Sequence, residues 1–196
     1  MTFTIIGLGN PGQEYENTRH NTGRIILEGF RKTLNFPEWK LDKKSNAQIS
    51  KGEIGKHKIV LVCPETFMNK SGLSAKNFIK NLKDAERTCV IYDDLDLPFR
   101  TNKMVFNRGS GGHKGIESIV RNIKTEAFLR IRIGISPTTP SGKIKKPKGE
   151  DAVGKFILDP FKKEELDEIK KTTKKVVEGL DIWINGTKDK AMSFFN

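Results

Sequence analysis

The sequence predicts an α/β protein: a single domain over residues 1–196, with a mostly parallel, mixed and twisted sheet and helices packed on both of its faces. Three observations carry that expectation. Short β-branched apolar runs alternate with segments of helical period, the order that builds sheet-and-helix layers. Two of the runs lie close enough to form a hairpin, which puts antiparallel pairing beside the parallel kind. No repeat and no shift in composition divides the 196 residues, a length ordinary for one domain.

The first strand is read at residues 2–8, TFTIIGL, which ends at glycines. Residues 47–51, 58–63, 88–92 and 130–136 look similar, and the first two of these would pair across 52–56. Ile26, Phe30 and Leu34 recur every fourth residue, so a helix is expected there. Ala75, Phe78, Ile79 and Leu82 follow the i, i+3, i+4, i+7 pattern of another, repeated by Ile116, Ile119, Val120 and Ile123. Between Lys162 and Ile184 a stripe of Leu166, Ile169, Thr173, Val176, Val177, Leu180 and Ile184 marks a long amphipathic helix. Residues 137–149 (PTTPSGKIKKPKG) have no period and are expected to form a mobile basic loop. Its lysines at 143, 145, 146 and 148 would add affinity for a phosphate-bearing ligand, the alternative being a solvated connection.

Lys and Arg number 36 against 24 Asp and Glu, a formal charge of +12, which argues for a polyanionic partner such as nucleic acid. Solubility, or a generally basic proteome, is the bland alternative. A hydrophobic fraction of 35% with 31% charged residues supplies a core of ordinary size and excludes wholesale disorder. No stretch approaches the roughly 18 apolar residues of a membrane span, and the N-terminus lacks the basic and apolar regions of a signal peptide. A cytoplasmic protein without a membrane partner is expected. Cys63 and Cys89 each sit in an apolar run and read as free core thiols, in keeping with a reducing compartment.

Five segments carry chemistry. Gly7-Leu8-Gly9-Asn10-Pro11-Gly12 matches G-x-G-x-x-G after a strand, a dinucleotide signal. However, the helical period starts only about ten residues later, and Pro11-Gly12 makes a turn where the helix should begin. The preferred reading is a rigid turn that holds Asn10 at the C-terminal edge of the strand, where α/β sheets place ligands. Next, in Tyr15…Thr18-Arg19-His20-Asn21-Thr22-Gly23, Asn21 or Thr22 can cap the first helix. His20 is then on a loop or helix entry, as an exposed bystander or a general base. The third segment runs from Pro64 to Gly72 (PETFMNKSG), and either Asn69 or Ser71 would serve as a helix cap. In Tyr92-Asp93-Asp94-Leu95-Asp96-Leu97-Pro98, carboxylates could bind a metal, cap a turn or orient a histidine. Orientation fits better, because hard-cation sites want several oxygen ligands. Finally, Arg108-Gly109-Ser110-Gly111-Gly112-His113-Lys114-Gly115 leads glycines and cations into a helix, as an anion site or a flexible loop.

In that order GLGNPGxxYxxTRHNxG, PxTFMNxSG, DDLDLP, GSGGHKGI and FLRIRIGI resemble the bacterial peptidyl-tRNA hydrolase family, and the resemblance spans the whole chain. It implies a monomeric α/β enzyme without a cofactor or metal, which hydrolyses the ester between a peptide and the terminal ribose of tRNA. The partner implied is peptidyl-tRNA, held at its acceptor stem and CCA end. By position, the resemblance makes His20 the catalytic base and Asp93 its orienting carboxylate. It places Asn10, Tyr15, Asn21, Phe67, Met68, Asn69, His113 and Lys114 among the substrate or tRNA contacts, and Arg132 on a tRNA phosphate. Family members usually read GGHNG where this chain reads GGHKG, so Lys114 stands in place of an asparagine. A lysine only donates and brings a charge, whereas an asparagine both donates and accepts. An RNA-binding relative with weak or lost hydrolysis is the alternative that Lys114 and the basic charge suggest.

Overall fold

The computed structural model describes all 196 residues. Seven strands form one sheet: β1 (Thr2–Gly7), β2 (Lys40–Asp42), β3 (Ala47–Ile54), β4 (His57–Pro64), β5 (Thr88–Pro98), β6 (Asn102–Phe106) and β7 (Leu129–Ser136), in the order β2-β3-β4-β1-β5-β7-β6. The inner four, β4-β1-β5-β7, run parallel, and antiparallel strands complete both edges. Parallel strands covered on both faces need apolar residues at successive positions. Ile5 and Ile6 of β1 accordingly are both fully buried, one toward each face.

Helices α1 (Thr22–Thr33), α6 (Lys163–Asn185) and α7 (Lys188–Phe195) cover one face. There Ile26, Leu27 and Phe30 of α1 meet Ile5, Leu61 and Ile131 of the sheet, with Val176, Leu180 and Trp183 of α6 in the same core. The other face carries α2 (Ser71–Ala75), α3 (Leu82–Glu86) and α4 (Lys114–Ile123), which enclose Ile6, Val62 and Val90 with Ala75, Ile116 and Ile119. Burying a side chain such as Phe30, which is 0% exposed, makes its truncation cost about 3–5 kcal/mol. The glycine of the TRHNTG segment is what lets α1 lie this close: a Cβ on Gly23 would sit 2.2 Å from the Ile91 carbonyl oxygen.

The amphipathic stripe from 162 to 184 is one helix, α6, and the hairpin forms with a two-residue turn, Gly55-Lys56, between Ile54 and His57. Both cysteines are free and buried, and burial pushes the Cys63 thiol up to about 12. The helix expected through Ala75, Phe78, Ile79 and Leu82 is instead two short helices. After α2 the chain tightens, with Phe78 N–H donating to the Ala75 carbonyl at 2.9 Å. Asn81, in extended backbone, then caps α3 by accepting from Asp84 N–H at 2.9 Å. Ala75 and Ile79 still reach the core while Leu82 is exposed, so the apolar spacing is met without a continuous helix.

Strands β2 and β6, the extension of β5 to Pro98, α7, and α5 (Glu150–Leu158) lie outside the expected elements. Residues 137–149, expected as a mobile basic loop, form a connection with some bonding of its own. Thr138 bridges Ile144 antiparallel, and Lys145 N–H donates to the Pro137 carbonyl at 2.7 Å. No helix is long and apolar enough to cross a membrane.

Candidate active site

Where β1 ends, the chain turns through Asn10-Pro11-Gly12, and Gly12 takes φ 111°, a backbone region open to glycine. The helix does not start at these glycines: a 3-10 turn follows at Gln13–Tyr15 and a second at Arg19–Asn21 before α1 begins. Asn21 occupies the cap position of α1, yet its side chain makes no cap bond. It holds the peptide of Asn10 instead, accepting from Asn10 N–H at 2.8 Å and donating to the Asn10 carbonyl at 2.9 Å. The Asn10 carboxamide oxygen in turn accepts from Met68 N–H at 2.8 Å. Thr22 caps nothing either, since its hydroxyl donates back to the Arg19 carbonyl at 2.7 Å. The expected caps of the next helix are corrected too. Lys70 stands at the cap of α2, Ser71 donates to the Met68 carbonyl at 2.8 Å, and Asn69 is exposed on the 3-10 turn Met68–Lys70. For Asn21 the longer-range partner outweighs a local cap, whereas Thr22 and Ser71 bond back to carbonyls three residues earlier, in the 3-10 turns that precede their helices.

Asp93 sits on β5 with its side chain 2% exposed between two imidazoles. His20 Nδ1 lies 3.0 and 2.9 Å from its two carboxylate oxygens, and His113 Nε2 lies 3.1 Å from one of them. The tautomers follow from the partners. His113 caps α4 by accepting from Ile116 N–H on Nδ1 at 3.4 Å, so its proton is on Nε2 and is donated to Asp93. His20 donates from Nδ1, which leaves Nε2 unprotonated and free to accept. Burial alone would raise the Asp93 carboxyl, but the two imidazoles outweigh it and hold the group well below the usual carboxylate range. The two rings are 5.1 Å apart, and Tyr92 packs 4.7 Å from His113. Gly115 makes room for this: a Cβ there would fall 2.5 Å from Met68 Sδ and 3.1 Å from His113 Cε1.

These groups line a cavity of about 200 Å³ with His20 and Asp93 at its floor and Lys114, Lys146 and Glu150 on its rim. Lys114 Nζ is 3.1 Å from Glu150, and Lys146 Nζ is 2.6 Å from Asp96. Asn10 and Asn21 border a larger groove, of about 760 Å³, alongside α1. Tyr15 and Phe67 stand edge to face at 6.4 Å, outside both. Met68 is buried behind Asn10. Arg132 is not a free cation: on β7, its Nε lies 2.6 Å from Asp94, and it does not line the cavity. Asp94 engages its Nε, and a phosphate contact by Arg132 would have to be made by the terminal nitrogens of the guanidinium beside that carboxylate.

His20, Asp93 and His113 are also the one trio whose ligand atoms converge as a metal site requires, within 4.8 Å. Those atoms hydrogen-bond one another at 2.9–3.1 Å, so an ion there would have to break both imidazole bonds. Sequence reasoning missed Arg19. Its guanidinium donates to the carbonyls of Asp159 at 3.2 Å and Pro160 at 3.4 Å, pairs with Glu165 at 3.1 Å, and lies 4.6 Å over the Phe156 ring. It thereby ties the corner between α5 and α6 to the turn that carries His20. Its only signal in the sequence is its place beside His20. Glu150 was missed as well, because α5 buries no residue completely and so leaves no apolar stripe.

The family model described as peptidyl-tRNA hydrolase matches residues 4–196. A peptidyl-tRNA hydrolase of Aquifex aeolicus is 37% identical over 98% of this chain and 95% of its own length. One from Shouchella clausii is 36% identical, covering 98% of both chains. The crystal structure of peptidyl-tRNA hydrolase from Acinetobacter baumannii superposes with a TM-score of 0.86 at 30% identity, covering 100% of this chain and 94% of that one.

Proposed function

The chain belongs to the peptidyl-tRNA hydrolase family, and from that premise we propose how its residues carry the reaction. It is a hydrolase that cleaves the ester between a peptide, or an N-blocked amino acid, and tRNA. In the proposed mechanism His20 Nε2 takes a proton from water as the water oxygen attacks the ester carbonyl carbon. Asp93 accepts from Nδ1–H throughout, which fixes the ring and stabilises the imidazolium as it forms. The proton then passes to the departing ribose oxygen, giving tRNA and the peptide acid, which loses the second water proton to solvent as its carboxylate. An ester is activated enough to need no serine nucleophile. It does need donors for the oxyanion, a role the family resemblance gives to carboxamides such as Asn69, which stands exposed on the Met68–Lys70 turn beside Asn10 and outside the lining of the His20 cavity.

The observation that carries this reading is His20 bonded through Nδ1 to a buried carboxylate, with Nε2 free and the ring lining a cavity. The charge of +12 suits the acceptor stem and CCA end of tRNA, bound by phosphate contacts across tRNAs in general. A cytoplasmic monomer completes the proposal. Release of an N-blocked amino acid from its tRNA tests it. Wild type should turn over, and His20→Ala should lose roughly 10²–10⁴-fold in kcat while binding tRNA about as well. Full activity in His20→Ala would overturn the mechanism. Tight, salt-sensitive binding by wild type without turnover would make the chain an RNA-binding relative.

A further inference from the structure

We propose that Lys114 is a specificity-determining residue that takes the phosphate next to the scissile ester, and that Glu150 is the counterion it gives up to do so. The inference rests on the hydrolase reading above. Lys114 directly follows His113, whose Nε2 is on Asp93 at 3.1 Å, so its ammonium rises from the chain beside the reacting groups and lines the same cavity. Its one partner is Glu150, 3.1 Å away across the rim. With Lys114 65% and Glu150 86% exposed, that pair is weak and easily exchanged. Local structure offers no reason for a lysine here. Position 114 is the first residue of α4, where the helix dipole disfavours a cation, and the ammonium packs on no ring. What a lysine does supply is a donor of fixed positive charge at the mouth of the cavity. The terminal nucleotide of tRNA brings one anion close to its ester, the phosphodiester on its 5′ side.

In this arrangement Glu150 competes with the substrate phosphate for Lys114, so the two residues affect binding in opposite senses. The test measures kcat and KM for release of a neutral N-blocked amino acid from tRNA over a range of salt. In Lys114→Asn the loss should fall on KM rather than kcat, and the slope of log KM against log salt should drop by about 0.7, the share of one single-strand phosphate. Glu150→Gln should lower KM by up to about fivefold at low salt. The double variant should match Lys114→Asn alone, because Glu150 acts only through the lysine. On an N-blocked aminoacyl ester of adenosine, which carries no phosphate, Lys114→Asn should match wild type. An unchanged salt slope in Lys114→Asn, a rise of KM in Glu150→Gln, or an equal defect on the phosphate-free ester would each overturn the proposal. A wild type that releases nothing would instead defeat the hydrolase reading itself.

Discussion

At the floor of the cavity, Asp93 is 2% exposed and bonded by both imidazoles, while at the rim Lys114 and Glu150 are 65% and 86% exposed and hold only each other. The distances are alike, 2.9–3.1 Å, so geometry does not separate the two regions. Solvent does. Removing one partner at the floor strands a buried polar group, which costs about 1–3 kcal/mol and more when it is charged. Removing one at the rim hands the other to water, at a cost of about 0–1 kcal/mol. The floor is therefore built to hold one arrangement, whereas the rim can exchange partners for a ligand. Asn10, Asn21 and Met68 belong with the floor in this respect, since Asn21 satisfies both polar groups of the Asn10 peptide.

The most severe break of this contrast is Asp93→Asn. A carboxamide is neutral and has one accepting oxygen. If that oxygen takes the position both rings share, its NH2 meets the His20 Nδ1–H as a second donor. His20 then loses both the charge and the fixed tautomer, and kcat should fall roughly 10²–10⁴-fold. Single-turnover release measures it; a rate near wild type would mean that the carboxylate does not orient His20. The same variant has a pH signature. The native carboxyl is held below its ordinary value, so the stability it contributes is complete above the usual carboxylate range and is lost as pH falls through and below it. Urea unfolding of wild type should show that loss, and the Asn variant should lack its share. Of intermediate size is Asn21→Ala, which leaves the Asn10 N–H and carbonyl without partners. A stability loss of about 1–3 kcal/mol is expected, with helix α1 intact by circular dichroism because Asn21 gives it no cap bond. An unstable α1 would show that the cap role had been misjudged. Smallest is Lys146→Gln at the rim, where Lys146 and Asp96 are 48% and 52% exposed. Its stability change should stay under about 1 kcal/mol and vanish in high salt, and a larger one would place the rim among the fixed parts of the site.

Much of this architecture was legible in the residues. The β1 run and the α6 stripe declare themselves because each buries apolar side chains at a regular spacing. Helix α5 buries nothing completely and leaves no such trace, although Glu150 and Lys146, in and just before it, are two of the three rim residues. The broken helix after Ala75 misled because apolar spacing reports which residues go inward, while Asn81 decides where the backbone restarts. Among the three histidines, composition cannot tell His57, buried and 5.4 Å from Phe3 in the core, from His20. The distinction comes from the motif around His20, and then from Asp93, 73 residues away.

The sequence by itself determined the alternation of strand and helix, the basic charge and the motifs that mark this family, all of which are local or additive properties of the chain. Tertiary structure alone decided that Asn21 clamps Asn10 rather than capping a helix, that Arg132 is spent on Asp94, and that Lys114 meets Glu150. Each of these joins residues 11 to 38 positions apart. A polar side chain takes whichever partner satisfies it at the lowest cost in desolvation, and the folded chain sets which partners are within reach.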